Sequence, residues 1–264
     1  VGEVLAAGNP VNAEWIGKRV FAFHPHASHF TATPDTLLPL PEGISVDDAV
    51  FLANMETAVN LAMDGRPLIG ERVLILGLGI VGLLLTAVLS RFPLEVVIGI
   101  DPCAPRRNAA TDLGATDVFS DAEGDPADRL ATVMGISDGD SRADLIYEVT
   151  GNPGALNSAL GLTGYHTRLV IGSWYGTKST SIELGGPFHR NRVSIISSQV
   201  STIAPQYSAR WTSQRRLQTA WAMLAQCRPS RLISHRFDIR QAQEAYELIA
   251  ENPQKTLQVV FTYP

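Results

Sequence analysis

Two cysteines, Cys103 and Cys227, are all that 264 residues contain, too few for a disulfide framework or a four-cysteine zinc lobe. No run of lysine or arginine is present, and a net charge of −5 argues against a nucleic-acid partner. No apolar stretch is long enough to span a bilayer, since the longest, around residues 81–89, follows directly on a glycine turn. Residues 1–7 carry Gly2 and Glu3 and no basic start, so no signal peptide is read there and a reducing cytoplasm is expected. Internal repeats and low-complexity tracts are also missing. What remains is an ordinary globular balance, 45% hydrophobic and 18% charged, in a length that suits one large or two modest domains. The chain opens on Val1 rather than Met, within what reads as a strand, which leaves room for an incomplete N-terminus.

Against these absences one stretch stands out, residues 71–91, ERVLILGLGIVGLLLTAVLSR. Val73, Leu74, Ile75 and Leu76 form an apolar run without polar alternation, as a strand buried on both faces would. It enters Gly77-Leu78-Gly79-Ile80-Val81-Gly82 and then a helix-forming segment free of glycine and proline. In such a strand–turn–helix, Gly77 permits the tight turn, Gly79 leaves room for a pyrophosphate, and Gly82 lets the helix pack on the strand. Ile80 and Val81 open the helix, whose N-terminal N–H groups and dipole favour phosphate. A second apolar strand, residues 95–100, ends on Asp101, placed to accept hydrogen bonds from an adenosine ribose. A 2′-phosphate would be repelled there, which favours NAD over NADP. Arg106 and Arg107 soften that preference because a guanidinium accommodates a 2′-phosphate. The plainer use of Asp101 is to cap a helix starting near Pro105.

Strands and helices alternate through the rest of the chain. Residues 117–120, 145–149, 169–171 and 192–196 read as further strands, with helices over 108–113, 126–134 and 155–162. Six strands with intervening helices make a doubly wound parallel α/β sheet by count. The turns Thr150-Gly151-Asn152-Pro153-Gly154 and Gly172-Ser173-Trp174-Tyr175-Gly176 follow the fourth and fifth strands, at the sheet end where such folds bind ligands. Residues 45–65 read as one helix capped by Ser45, carrying a polar cluster at Asn54, Glu56, Thr57 and Asn60 that must meet partners or face a cavity. Upstream, FAFHPHASHF places His24 and His26 at alternate positions that could share a strand face. No cysteine and no third ligand at helical spacing accompanies them, so a cleft or packing role is expected ahead of metal binding. His189, Arg190, Arg210, Arg215 and Arg216 form a basic region expected on a solvated or interface face. The β-rich start and the tail at 232–262 flank the nucleotide domain, which suggests a second domain built from both chain ends.

These motifs in this order resemble the medium-chain dehydrogenase/reductase superfamily, the zinc-type alcohol- and polyol-dehydrogenase group. VGEVLAAGNPV with GKRV is similar to the end of the family's GroES-like catalytic domain, and ETAVNLA with GERVLILGLGIVGLL to the crossover into its coenzyme domain. DLIYEVTGNPGAL, RLVIGSWYG and LISHRFDIRQAQEAYELI are similar to later landmarks. The resemblance implies a Rossmann domain over residues 58–205 and an incomplete GroES-like domain from 1–57 with 206–264. It implies hydride transfer between NAD (NADP possible) and a small alcohol or carbonyl, with Thr57 on the nicotinamide side and Arg106, Thr150, Gly151, Gly172 and Ser173 among the cofactor contacts. It also implies a homodimer joined along the sixth strand.

This chain departs from the family at the metal. Two of the family's catalytic zinc ligands would fall before Gly2, and the third position, four before Thr57, is Ala53. No zinc is expected. Subgroups resembling quinone and enoyl reductases work without a metal, so the candidates for handling the proton are Tyr175, His24, His26 and Glu56. Tyr175 either donates to the substrate oxygen, with a histidine as relay, or packs with Trp174 around the nicotinamide. Two alternatives stand beside this reading: an NADPH-dependent reductase of an activated C=C bond, and a truncated or non-catalytic nucleotide-binding protein.

Overall fold

The structure, a computed structural model, describes residues 1–120, 124, 126–134 and 142–264. Two compact units make up the chain, one of Val1–Met55 with Gln218–Pro264 and one of Glu56–Leu217.

The first unit opens with β1 (Gly2–Glu3), β2 (Arg19–Phe21) and β3 (Leu38–Pro39), an antiparallel sheet in that order. The strand read at the start of the chain is thus only two residues long, and the chain turns into a 3-10 segment at Pro10–Trp15. β2 stops at Phe21, short of Pro25, whose ring removes the N–H a ladder needs. His24 and His26 therefore lie on irregular chain and share no strand face, contrary to the alternation read from sequence.

The helix expected over 45–65 is two helices, α1 (Val46–Ala49) and α2 (Leu52–Gly65). Ser45 caps α1 as its identity suggests, accepting the Asp48 N–H at 3.0 Å, and Asp48 Oδ1 accepts the Ser230 N–H at 2.9 Å. The break at Val50 and Phe51 lets Phe51, Leu52 and Met55 all bury to 1% exposure or less.

In the second unit β4 (Arg72–Leu76), α3 (Ile80–Leu89), β5 (Val96–Ile100), α4 (Ala104–Asp112) and β6 (Asp117–Phe119) form the first half of a wound sheet. After α5 (Pro126–Met134) come β7 (Ala143–Glu148), α6 (Ala155–Gly161), β8 (Thr163–Ile171), α7 (Pro187–Arg190) and β9 (Ser194–Ser197). All pairings are parallel and the order is β6-β5-β4-β7-β8-β9. The order reverses between β5-β4 and β7-β8, which opens a crevice beyond the C-terminal ends of β4 and β7. Burial explains the unbroken apolar runs: Leu74, Ile98, Ile146 and Leu169 are each at 0% exposure, one on each central strand. α3 is apolar on every side, and eight of its ten residues are buried.

α8 (Ser213–Cys227) begins in this unit, and the chain returns to the first through β10 (Ile233–Asp238), α9 (Ala242–Glu251) and β11 (Gln258–Thr262). β10 and β11 pair in parallel, with α9 as the crossover.

Candidate functional site

The glycine turn after β4 carries three different demands. Gly77 has φ +93°, and a Cβ there would meet the Thr150 backbone at 2.9 Å. Gly82, in the first turn of α3, would drive a Cβ to 2.0 Å from the Gly77 carbonyl oxygen. Gly79, the residue before α3, would meet nothing within 4 Å. Between Val73 and Leu89 every residue is buried except Gly79, Ile80 and Val81. The fold therefore closes around the turn everywhere but at a helix N-terminus, where backbone N–H groups lack intrahelical partners and favour an anion.

Asp101 sits at the end of β5, 3% exposed. Its Oδ2 accepts the Leu78 N–H of the glycine turn at 2.8 Å, and its Oδ1 accepts the Cys103 N–H at 2.8 Å. Arg106 Nη1 stands 3.7 Å from Oδ2, and Arg107 Nη1 donates to the Asp101 carbonyl at 2.9 Å. The residue capping α4 is Cys103, so Asp101 braces the glycine turn rather than the helix.

The turns after β7 and β8 are stitched together. Glu148, the last residue of β7, is fully buried, and accepts the Thr150 N–H at 2.8 Å, the Thr150 hydroxyl and the Tyr175 hydroxyl. Ser173 Oγ accepts the Gly151 N–H at 2.8 Å, and Lys178 Nζ donates to the Gly151 carbonyl at 3.1 Å. Gly172 packs closely, since a Cβ there would lie 2.7 Å from the end of the Leu61 side chain, which would have to shift. Desolvation, then the bond to Glu148, pushes the Tyr175 phenol well above its usual range. Its one proton is directed at Glu148, and its partly buried ring packs against the hydrophobic core.

Glu56 is also spoken for. Its Oε1 accepts from Arg216 Nε at 3.2 Å and Nη2 at 3.1 Å, and Arg216 is 2% exposed. The same guanidinium donates to Asn60 Oδ1 at 2.6 Å, to the Thr202 carbonyl at 3.1 Å and to the Val200 carbonyl. Asp64 completes the face: its Oδ2 accepts from Asn60 Nδ2 at 2.9 Å and from Ser198 Oγ at 2.7 Å, and burial raises its carboxyl above the usual value. Glu56, Asn60 and Asp64 recur every four residues and so share one face of α2. Arg216, expected on a solvated or interface face, is instead buried in the centre of this network. Thr57 is part-buried on the same helix.

His24 and His26 belong to the other unit. His24 stacks on Phe30 with ring centres 4.0 Å apart, and its Nδ1 donates to the Pro25 carbonyl at 2.8 Å. His26 Nδ1 lies 2.5 Å from the Tyr263 hydroxyl, and its ring meets Phe261 edge-on at 5.4 Å. Both histidines are exposed.

Six parallel strands in this order, a glycine turn on the first and a buried acid at the end of the second, define a doubly wound nucleotide-binding fold. The chain belongs to the zinc-binding dehydrogenase family, whose pattern matches residues 81–221, more than half of its length. It is 27% identical over 228 residues to the D-guloside 3-dehydrogenase of Escherichia coli K12, a match covering 85% of this chain and 64% of that relative. With the sorbitol dehydrogenase of Bacillus subtilis it shares 26% identity over 202 residues, 64% of this chain and 56% of the relative. The chain thus spans under two-thirds of these relatives' length. A short chain alcohol dehydrogenase of E. coli CFT073, solved with the cofactor NADH, superposes with a TM-score of 0.75 at 19% identity, over 97% of this chain and 80% of that one. The alcohol dehydrogenase of Thermus sp. ATN1 gives 0.69 at 22% identity, over 86% and 63%. Among the described residues no group of three or more His, Cys, Asp and Glu is placed to hold a metal ion.

Proposed function

We propose that this chain carries the dinucleotide-binding domain, residues 58–205, and part of the substrate domain of an NAD-dependent oxidoreductase. The reaction is hydride transfer between the nicotinamide and a small alcohol or carbonyl compound, and the dehydrogenases of guloside and sorbitol among the relatives favour a sugar or polyol hydroxyl. One observation carries the reading: in a turn sealed at Gly77 and Gly82, only residues 79–81 are left open, at a helix N-terminus.

In this proposal the pyrophosphate sits against Gly79, Ile80 and Val81. Asp101 keeps unused lone pairs for the adenosine ribose, and its charge disfavours a 2′-phosphate. Thr150, Gly151, Gly172 and Ser173 border the nicotinamide half, beyond β7 and β8, and Thr57 belongs to the nicotinamide side. Bound nicotinamide supplies the hydride acceptor. Tyr175 is committed to Glu148 and Glu56 to Arg216, and His24 and His26 stand as proton-handling candidates on sequence grounds alone. No step is assigned to zinc. A second reading is a nucleotide-binding protein without turnover, which the same glycine turn would equally serve.

Turnover separates the two. Incubation with NAD⁺ and a panel of small alcohols and polyols is expected to produce reduced-nicotinamide absorbance with at least one polyol. If one of them handles the proton, loss of about a hundredfold or more in kcat is expected in His24→Ala or His26→Ala, the range for losing general acid–base help. Binding without turnover across the panel would select the second reading.

A further inference from the structure

Glu148 presents a puzzle that packing does not solve. It ends a strand whose other residues include Leu145, Ile146 and Tyr147, all at 0% exposure, and its own exposure is 0%. Removing a carboxylate from water costs several kcal/mol unless its lone pairs are filled. Here they are filled by donors from two different turns: the amide and hydroxyl of Thr150, two residues on, and the hydroxyl of Tyr175, 27 residues on. Thr150 Oγ1 in turn accepts the Asn152 N–H at 2.9 Å, so the carboxylate organises the whole turn after β7. The bond from Gly151 to Ser173 runs between the same two turns, and Lys178, two residues past the second, adds another. An apolar residue at 148 would satisfy the core but leave the Thr150 and Tyr175 donors without their shared acceptor, with only the Gly151 bonds still bridging this region.

We propose that Glu148 is a positioning residue: its carboxylate clamps the turn at 150–154 to the turn at 172–176 and so sets the seat of the nicotinamide half of the dinucleotide. The inference rests on the cofactor reading above. The sheet order supplies the direction, because Asp101 at the end of β5 marks the adenosine side and β7 and β8 lie on the other side of β4. Tyr175 is then the second half of the clamp and acts through Glu148, not on the substrate. Neither residue needs to touch the cofactor to matter, since a misplacement of about 1 Å at a reacting centre costs on the order of a hundredfold in rate.

The test uses the intact chain and two probes, NADH and ADP-ribose, which lacks the nicotinamide, with a thermal melt as control. Glu148→Ala is expected to weaken NADH by about tenfold and Tyr175→Phe by about fivefold, while ADP-ribose stays within about twofold; adding Tyr175→Phe to Glu148→Ala changes little, as for two groups in one interaction. Glu148→Gln is expected to stay within about threefold of wild type, because the amide oxygen accepts from Thr150 and the amide N–H donates to Tyr175. Should Glu148→Ala fail to fold, Tyr175→Phe and Glu148→Gln carry the comparison. If wild type binds both probes and the variants bind NADH as well as wild type does, or lose NADH and ADP-ribose in parallel, the clamp is overturned alone. Failure of the wild type to bind either probe would overturn the cofactor reading and the clamp with it.

Discussion

Replacing Arg216 with methionine is expected to cost about 3–5 kcal/mol of stability, the range for breaking a buried ion pair from one side. Methionine restores much of the side-chain volume, so a cavity is not the main cause. The cause is what the guanidinium leaves behind. Glu56, its side chain 13% exposed, loses its cation, while Asn60 Oδ1 and the carbonyls of Val200 and Thr202 lose their donors. In a chain of this size the melting temperature should fall on the order of 10 °C. Because the penalty resides in the abandoned charge, Glu56→Gln added to Arg216→Met should recover part of it, and a denaturant titration of the single and double variants measures the coupling. A loss under about 1 kcal/mol would mean that the network is slack. The segment after β9 is tied to α2 by this guanidinium, by the Ser198 hydroxyl and by the Tyr207 hydroxyl on the Met63 carbonyl, so the loss should loosen residues 198–202 first.

The second large effect distinguishes the glycines from one another. Gly82→Ala places a Cβ 2.0 Å from the Gly77 carbonyl oxygen, a backbone atom that cannot swing aside. A cost of about 3 kcal/mol or more follows, since overpacking a tight site runs to about 1–3 kcal/mol even where neighbours can yield. Gly79→Ala is the opposite case. Its φ of −65° and ψ of −177° are ordinary extended values, and the Cβ meets nothing within 4 Å. Stability should therefore change by no more than about 1 kcal/mol, the helix-capping difference between glycine and alanine. The methyl nevertheless occupies the opening left for a phosphate, and NADH affinity should drop by about tenfold or more, worth about 1.4 kcal/mol. Melting curves and NADH titrations on the two variants read both outcomes. A folded Gly79→Ala chain that binds NADH like wild type would remove the phosphate from this turn.

Local features of the sequence carried much of this. The apolar run at 73–76, the three glycines and the acid at 101 lie within thirty residues, and each role follows from a strand–turn–helix that short-range chemistry dictates. The strand count followed from the same alternation. Features resting on distant partners were not legible. Arg216 read as a surface cation because its carboxylate lies 160 positions away, and only the fold brings the two together. A signal was present nonetheless: Glu56, Asn60 and Asp64 at four-residue spacing put a polar stripe on a largely apolar helix, which calls for a buried donor. Glu148 had its signal too, as an acid ending the apolar run LIYE. His24 and His26 show the converse error, where alternation suggested a strand face that Pro25 prevents. The split between α1 and α2 was hidden because Val50 and Phe51 carry no breaker residue. That split is set by the burial of Phe51 and Leu52 rather than by local preference.

Nicotinamide fluorescence of NADH titrated with the purified chain tests the central claim most directly, with NADPH as the paired probe. Saturable binding of one NADH per chain is expected, tighter than NADPH if Asp101 takes the ribose as proposed, since its charge would then oppose a 2′-phosphate. Failure of both NADH and NADPH to bind a chain that melts cooperatively would contradict it.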